Sequence, residues 1–188
     1  MNASAYDVTI GIPTRNAGPD LRRLLNAVFG QATARRFEVL ALDSGSDDGT
    51  VDVLRGYPVR VVEVAPTTFD WGRMRNLLFQ AAHAPIVVNL SQDAIPATSN
   101  WLDELLAPLA DPDVGAVSGR SVPDPERAFP QFQWEKNGYY YFTREMRRFA
   151  ARYGKGLSFA NTAVPRAVWE RLRIDPQATG EDFQFQRK

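Results

Sequence analysis

The chain has 188 residues, of which 44% are hydrophobic and 23% are charged, as in an ordinary globular domain with a buried core. Its 22 basic and 22 acidic residues cancel to a formal net charge of zero, so no overall field draws it to nucleic acid. The absence of cysteine excludes a disulfide scaffold, a thiolate metal site and a cysteine nucleophile.

Short apolar strands alternate with amphipathic helices over the first 120 residues. Strands are predicted at 8–13, 37–42, 59–64, 86–90 and 114–118, where aliphatic and β-branched runs end in turn residues. Helices are predicted from Leu21 after Asp20 as N-cap, through Val51 and Leu54, from Trp71 to Ala82, and from Asn100 as N-cap to Leu109. Right-handed crossovers join strands that alternate with helices in this way. The sequence therefore predicts an α/β fold with a mostly parallel central sheet flanked by helices.

The composition changes after Arg120. The stretch from Phe129 to Tyr153 is rich in aromatic residues, which are more typical of a core, although a sugar-binding groove or a patch for a membrane or partner stays open. A strand over 157–164 and a short helix over 166–172 are predicted to follow. We expect one domain over residues 1–188, in which the second half, 121–188, forms one wall of a cleft.

Polar residues follow several of the predicted strands. In open α/β sheets, ligands bind outside the carboxyl ends of the strands, where this sequence places Thr14, Arg15 and Asn16, then Asp43 and Ser44, then Ser91, Gln92 and Asp93. We expect the carboxylates of Asp43 and Asp93 on the same rim. Neither a G-x-G-x-x-G turn nor a G-x-x-x-x-G-K-[ST] loop occurs. A bound diphosphate would therefore require a divalent metal and arginines to balance its charge.

Five motifs in order carry a resemblance to a known family. They are Ile10-Gly-Ile-Pro-Thr-Arg-Asn16, Asp43-Ser-Gly-Ser-Asp-Asp-Gly-Thr50, Arg75-Asn76, Ser91-Gln-Asp-Ala-Ile-Pro96 with Trp101-Leu102, and Gly180-Glu-Asp182. Together they resemble the motifs of family 2 glycosyltransferases of the GT-A fold. The Gln-Asp-Ala-Ile-Pro segment and the stretch from Ser158 to Arg166 are similar to those of bacterial rhamnosyltransferases.

The resemblance implies a role for each matching residue. The nucleotide would contact Pro13, Thr14, Asp43 and Arg75, with residues 1–120 as the nucleotide-binding half. Asp93 would bind Mg²⁺ or Mn²⁺, and Asp182 would be the catalytic base. Arg15, Gln92 and Glu181 are supporting candidates. Ser91 departs from the common D-x-D pattern, so one protein carboxylate would serve the metal, and metal binding without donor should be weak.

The implied function is an inverting, metal-dependent glycosyltransferase that moves a sugar, by preference L-rhamnose, from a dTDP- or UDP-sugar to a glycan or lipid-linked acceptor. A non-catalytic nucleotide-sugar or glycan binding module, and a protein-interaction domain, remain the alternatives. Family members continue beyond the Glu-Asp motif, so we expect a chain truncated at its C-terminus relative to them. A short polar start and the lack of an apolar run of ~20 residues favour a cytoplasmic location, including the inner face of the plasma membrane.

Three further polar residues are assigned structural roles. Asp47 and Asp48 are expected to form the turn and cap before the second helix. His83, the only histidine, follows a predicted helix and is expected to be structural or solvated. None of the three is a candidate for catalysis.

Overall fold

The computed structural model describes residues 4–66, 70–119, 157–176 and 185. In this part of the chain the strands are β1 (Val8–Thr14), β2 (Phe37–Asp43), β3 (Val59–Glu63), β4 (Ile86–Leu90), β5 (Val117–Ser118) and β6 (Asn161–Pro165). The α-helices are α1 (Leu21–Phe29), α2 (Thr50–Arg55), α3 (Trp71–Ala81), α4 (Trp101–Leu106) and α5 (Arg166–Leu172). None of the helices in these ranges is long and apolar enough to cross a membrane.

The strands form one mixed sheet in the order β3-β2-β1-β4-β6-β5. The β1 strand pairs in parallel with β2 and β4, and β2 pairs in parallel with β3. The β6 strand is antiparallel to both β4 and β5. The predicted α/β architecture with a mostly parallel sheet is therefore confirmed, and two antiparallel strands extend it on one side.

Helices cover both faces of the sheet, because the parallel strands are apolar on both sides. One face packs against α1, α2 and α4 through residues such as Leu24, Leu54 and Leu102. The other packs against α3 and α5 through residues such as Leu78 and Trp169. The sheet is thus the middle of three layers, and its two ends are left for polar groups.

Close contact between α3 and β1 explains a glycine inside a strand. A Cβ atom on Gly11 would lie 2.2 Å from Leu78 Cδ2, so Leu78 occupies the space that a side chain would need. On the same helix, the Asn76 amide accepts a hydrogen bond from Trp169 Nε1 (2.7 Å) and donates one to the Ile174 carbonyl (2.7 Å). Asn76 therefore attaches α3 to α5 and has a structural role.

Several element boundaries differ from the sequence prediction. The predicted strand at 114–118 is only Val117–Ser118, and the one at 157–164 is Asn161–Pro165. The fourth helix is α-helical to Leu106 and continues as a 3₁₀ turn to Ala110, since Pro108 supplies no backbone N–H. Neither Asp20 nor Asn100 caps a helix through its side chain. Asp70 does cap α3, accepting a hydrogen bond from Arg73 N at 2.9 Å.

The amino end of the sheet is closed by the carboxylate of Glu38, whose side chain is 6% exposed. It accepts hydrogen bonds from Thr9 Oγ1 (2.7 Å), His83 N (2.8 Å), and Arg60 Nε and Nη2 (3.2 and 3.1 Å). Burial opposes ionisation, but these hydrogen bonds outweigh it and lower the pKa of Glu38. His83 Nδ1 lies 3.1 Å from the same carboxylate, in agreement with the structural role expected for it.

Candidate functional site

The carboxyl ends of β1 and β2 lie side by side, with Thr14 in register with Asp43. Both side chains are buried, at 2% and 1% exposure. Thr14 Oγ1 donates a hydrogen bond of 3.1 Å to Asp43 Oδ2, and the Ser44 N–H donates one of 3.0 Å to the Thr14 carbonyl. Two of the predicted nucleotide-binding residues are therefore in direct contact at the rim of the sheet.

The carboxylate of Asp43 organises the loop that follows it. Its Oδ1 accepts hydrogen bonds from Gly45 N (3.0 Å) and Ser46 N (2.9 Å). Its Oδ2 accepts one from Ser46 Oγ at 2.6 Å, in addition to that from Thr14. Both oxygens are thus already engaged within the protein, a feature that sequence reasoning did not predict.

Loop 15–18, which follows β1, and loop 44–50, which follows β2, are joined by hydrogen bonds. The N–H groups of residues 16–18 donate in order to Ser46 Oγ (2.8 Å), Thr50 Oγ1 (2.9 Å) and Asp48 Oδ2 (3.1 Å). In return, Asp47 N donates to Asn16 Oδ1 at 3.0 Å. The two loops therefore form one hydrogen-bonded unit, referred to below as the paired loops.

Asp48 serves both of the paired loops. Besides the bond from Gly18 N, its Oδ1 accepts one from Thr50 N (3.0 Å) at the start of α2. Hydrogen bonding from Thr50 lowers the pKa of Asp48 and exceeds the opposing effect of burial. The turn role expected for Asp48 is confirmed, but the cap role is wrong, because the N-cap of α2 is Gly49 and no side chain of the described residues caps that helix. The contact of Asp48 with Gly18 is an addition that the turn pattern alone did not indicate.

Glycine is required at one point of the rim. Gly45 has a φ of +90°, in the left-handed region, and a Cβ atom there would lie 2.4 Å from Pro66 Cγ. A side chain would therefore be strained by the backbone and would also collide with Pro66. The path of the chain directly after Asp43 depends on this residue.

Gln92 joins the end of β4 to the end of β1. Its Oε1 accepts a hydrogen bond from Arg15 N (2.9 Å), and its Nε2 donates one to the Arg15 carbonyl (3.1 Å). The predicted supporting residues Gln92 and Arg15 are therefore in contact, through the backbone of Arg15. Since Arg15 follows Thr14 and Asp93 follows Gln92, the loops that carry Asp43 and Asp93 flank the same end of β1.

Asp93 lies in a turn and is exposed. Among the described residues its carboxylate has no hydrogen bond or ion pair, so its oxygens are available to a cation. Those residues also contain no group of three or more His, Cys, Asp or Glu that could hold a metal ion. One carboxylate fits a hard divalent cation that arrives with diphosphate oxygens and water; the described residues do not form a complete metal cage.

Arg75 is buried, at 8% exposure, which excludes an ordinary solvated helix arginine. Its Cζ lies 5.3 Å from the ring centroid of Trp71 and 4.7 Å from that of Phe159. Phe159 in turn contacts Phe185, with ring centroids 5.6 Å apart. These four side chains, the aromatic column, extend from the core to the start of α3, and cation–π attraction holds the guanidinium within it.

Of the remaining predicted site residues, one lies in β1 and two lie outside the described part of the chain. Pro13 is half-buried in β1, one residue before Thr14. Asp182 and Glu181 lie outside the described residues, as do the aromatics from Phe129 to Tyr153. The carboxyl edge thus brings together Thr14, Asp43, Arg15 and Gln92, with Asp93 beside them. Sequence reasoning placed Asn16 at this rim without its connecting role and missed Ser46, for which the polar character of the turn was the available signal.

Two curated proteins are similar in sequence to part of this chain. The O-antigen chain rhamnosyltransferase WbaN of Salmonella anatum is 34% identical over 116 residues, 61% of this chain and 37% of that protein. RfbN of Salmonella typhimurium, also an O-antigen chain rhamnosyltransferase, is 33% identical over 118 residues, 62% of this chain and 37% of that protein. The match to each of these curated relatives thus spans little more than a third of its length.

Solved structures share the fold. A mannosyltransferase from Pyrobaculum calidifontis, in complex with GDP-Man and Mn²⁺, superposes with a TM-score of 0.70 and 26% identity, covering 97% of this chain and 53% of that one. The model of the family described as "Glycosyl transferase family 2" matches residues 9–171, which include both paired loops, Gln92 and the aromatic residues up to Trp169. From its sheet topology, its polar rim and this match, the chain belongs to glycosyl transferase family 2 and has the GT-A fold.

Proposed function

We propose that the chain is the donor-binding core of an inverting glycosyltransferase that moves a sugar, L-rhamnose in our preferred assignment, from a dTDP- or UDP-sugar to a glycan or lipid-linked acceptor. The main support for the proposal is the pair of hydrogen bonds between the Gln92 side chain and the Arg15 backbone. Because Asp93 follows Gln92, these bonds hold the candidate metal residue near the paired loops. The rhamnosyltransferase relatives support the choice of sugar.

The donor nucleotide would lie against the paired loops. Pro13 and Thr14 end β1 beneath it, and Asp43 would accept a hydrogen bond from the pyrimidine base. Because Ser46 Oγ already donates to Asp43 Oδ2 at 2.6 Å, the base would compete with that hydroxyl. Arg75, held in the aromatic column, would face the nucleotide side of the donor and contribute positive charge.

Asp93 would hold Mg²⁺ or Mn²⁺ together with the donor diphosphate. The cation supplies positive charge that offsets the charge developing on the leaving diphosphate. The mannosyltransferase complex with GDP-Man and Mn²⁺ supports a divalent cation in this fold. Because one carboxylate is a weak metal site by itself, binding of cation and nucleotide should be cooperative.

Asp182, with Glu181 beside it, is proposed as the acceptor-side base. It would remove the proton from the acceptor hydroxyl while the new C–O bond forms and the bond from the anomeric carbon to diphosphate breaks. Attack from the face opposite the leaving group inverts the anomeric centre. The proposed acceptor is a glycan or a lipid-linked glycan. We place the protein in the cytoplasm, and at the inner face of the plasma membrane if its acceptor is lipid-linked.

Isothermal titration with dTDP and UDP, with and without Mn²⁺, tests the proposal. We expect binding that Mn²⁺ strengthens in the wild type and that Mn²⁺ no longer strengthens in Asp93→Asn. Asp182→Asn should abolish transfer and leave nucleotide affinity within about twofold, because its charge acts on the acceptor. No nucleotide binding with Mn²⁺ present would refute the proposal, and binding without transfer to any acceptor would favour a non-catalytic binding module.

A further inference from the structure

A cavity of about 300 Å³ opens at the amino end of the sheet and is referred to below as the amino-end cavity. Its volume is at the lower end of the range for small-molecule sites. The side chains that shape it are Tyr6, Phe29, Phe37, Glu38, Arg60 and His83. Because β2 runs from Phe37 to Asp43, about 20 Å separate this cavity from the candidate active-site rim. The amino-end cavity is therefore distinct from the proposed donor site.

Arg60 brings unused hydrogen-bond donors to the amino-end cavity. Its Nε donates to Glu38, and its Nη2 donates to Glu38 and to the Ala81 carbonyl. Among the residues that the structure describes, the two N–H groups of Nη1 have no acceptor. The Arg60 side chain is 34% exposed, so a ligand can reach it. An acceptor that enters the cavity could bond to Nη1 without displacing any existing partner of the guanidinium.

Glu38 orients this guanidinium but is not itself available to a ligand. Its Oε1 accepts hydrogen bonds from Thr9 and from His83 N. Its Oε2 accepts two from Arg60 and lies 3.1 Å from His83 Nδ1. These contacts occupy the roughly four lone-pair positions of a carboxylate, which argues against a bound cation. Because Arg60 is already held in place, a ligand that binds to it immobilises little further side chain.

Aromatic side chains supply apolar walls to the same cavity. Tyr6, Phe29 and Phe37 are each half-buried. The ring centroids of Phe29 and Phe37 are 6.1 Å apart and their planes are 30° apart, so the two rings form an aromatic pair. A flat ring that displaced water from these walls would gain both burial and ring contacts. Aromatic walls beside a guanidinium are complementary to a molecule that combines a ring with an anionic group.

We propose that the amino-end cavity binds a small aromatic carboxylate. The carboxylate would accept hydrogen bonds from Arg60 Nη1, and the ring would pack against Phe29 and Phe37. A carboxylate is favoured over a neutral polar group because hydrogen bonds between two charged partners are the stronger ones. This second site does not depend on the proposed function, since none of its residues belongs to the rim that carries the paired loops.

An NMR titration of the ¹⁵N-labelled full chain with benzoate tests the site. We expect saturable shifts of the amide signals of Phe29, Phe37 and Arg60, with a dissociation constant of about 1 mM, as is usual for so small a ligand. The signals of Thr14 and Asp43 should not move. Benzyl alcohol, which keeps the ring without the charge, should bind about tenfold more weakly. Cyclohexanecarboxylate, which keeps the charge without the aromatic ring, should bind about threefold more weakly.

Two arginine variants form a matched pair for the same titration. Arg60→Lys should bind benzoate about tenfold more weakly, because an ammonium that pairs with Glu38 does not offer a second set of N–H groups in a fixed fork. Arg36→Lys is the control: Arg36 is bonded to Asp7 at 2.9 Å and is not among the residues that line the cavity. It should bind benzoate like the wild type.

A third variant covers the case in which Arg60→Lys does not fold. Phe29→Leu leaves the ion pair of Glu38 intact and should weaken benzoate binding about threefold through loss of an aromatic contact. Wild type without saturable shifts at the cavity, equal binding of benzyl alcohol and benzoate, or unchanged benzoate affinity in Arg60→Lys or Phe29→Leu would each overturn the site. Nucleotide affinity with Mn²⁺ should stay within about twofold in both variants, since the two sites are distant.

Discussion

The guanidinium of Arg60 on β3 donates two hydrogen bonds to one oxygen of Glu38 on β2, from Nε at 3.2 Å and Nη2 at 3.1 Å. The same carboxylate accepts from Thr9 on β1 and from His83, which precedes β4. A single buried charge therefore connects the amino ends of neighbouring strands, opposite the candidate active site.

Glu38 should make stability depend on pH in the acid range. Its pKa is lowered in the folded state, so the stabilisation it gives is present above its ordinary value of about 4.5 and is lost as the pH falls through the folded-state value. We expect the free energy of unfolding to drop below about pH 4.5, and Glu38→Gln to weaken this dependence and cost about 1–3 kcal/mol at neutral pH. Urea unfolding at pH 7, 5 and 4 measures both effects.

Glu63→Gln is the matched control for the Glu38 experiment. Glu63 pairs with Arg55, but both side chains are 61% exposed, and exposed pairs contribute little. Its variant should unfold like the wild type at every pH. If Glu38→Gln behaved in the same way, the buried ion pair would not be a determinant of stability.

Asp43 and Ser46 provide a test of how the nucleobase is recognised. Asp43→Asn removes the charge and should weaken UDP or dTDP binding about tenfold or more, the usual cost of losing a hydrogen bond to a charged group. Ser46→Ala removes the hydroxyl that competes for Oδ2 and also the acceptor for Asn16 N in the paired loops, so it should weaken affinity less than Asp43→Asn does, by about threefold. Equal losses in the two variants, measured by titration calorimetry, would show that Asp43 acts only by shaping its loop.

Gln92 should control how strongly the metal assists nucleotide binding. Gln92→Ala deletes both hydrogen bonds to the Arg15 backbone, at a cost to stability of about 1–2 kcal/mol, and releases the turn that carries Asp93. We expect nucleotide affinity without metal to be unchanged and its increase with Mn²⁺ to shrink. Gln80→Ala, an exposed change on α3, is the control; a Gln92→Ala variant that lost affinity equally with and without Mn²⁺ would contradict this role.

Asn89 should lower the stability of the fold. Asn89 is 1% exposed, and within the part of the chain that the structure describes neither its Oδ1 nor its Nδ2 has a hydrogen-bond partner. An unsatisfied buried amide is costly, so Asn89→Leu should raise the free energy of unfolding by about 1–3 kcal/mol. Thr162→Val, at the position paired with Asn89 on β6, should destabilise because it removes the hydroxyl bound to Ser118. A less stable Asn89→Leu protein would indicate a buried water at the amide.

Much of the fold follows from local pattern. Apolar runs place β1, β2, β3 and β4 within a residue of their observed limits, and the strand-end rule brings Asp43 and Asp93 to one edge. The position of β6 between β4 and β5 was not predicted, because a two-residue strand such as Val117–Ser118 carries no periodicity and pairing order depends on distant contacts.

The internal connections of the site were also beyond local pattern. The sequence places Asp43 at a strand end on the ligand-binding rim, but it does not indicate that the carboxylate is buried and accepts four hydrogen bonds from neighbouring groups. Gln92 reaches a backbone 77 residues away. Bonds of this kind depend on the distance between two loops, which a linear spacing of residue types does not contain.

The pairing of the loops after β1 and β2 constrains how this family can be re-engineered. Because backbone N–H groups of residues 16 to 18 donate to side chains of Ser46, Asp48 and Thr50, a segment transplanted from a relative into one loop would leave the other loop without these hydrogen bonds. Chimeras intended to change sugar-nucleotide preference should exchange both segments together, as a single inherited cassette.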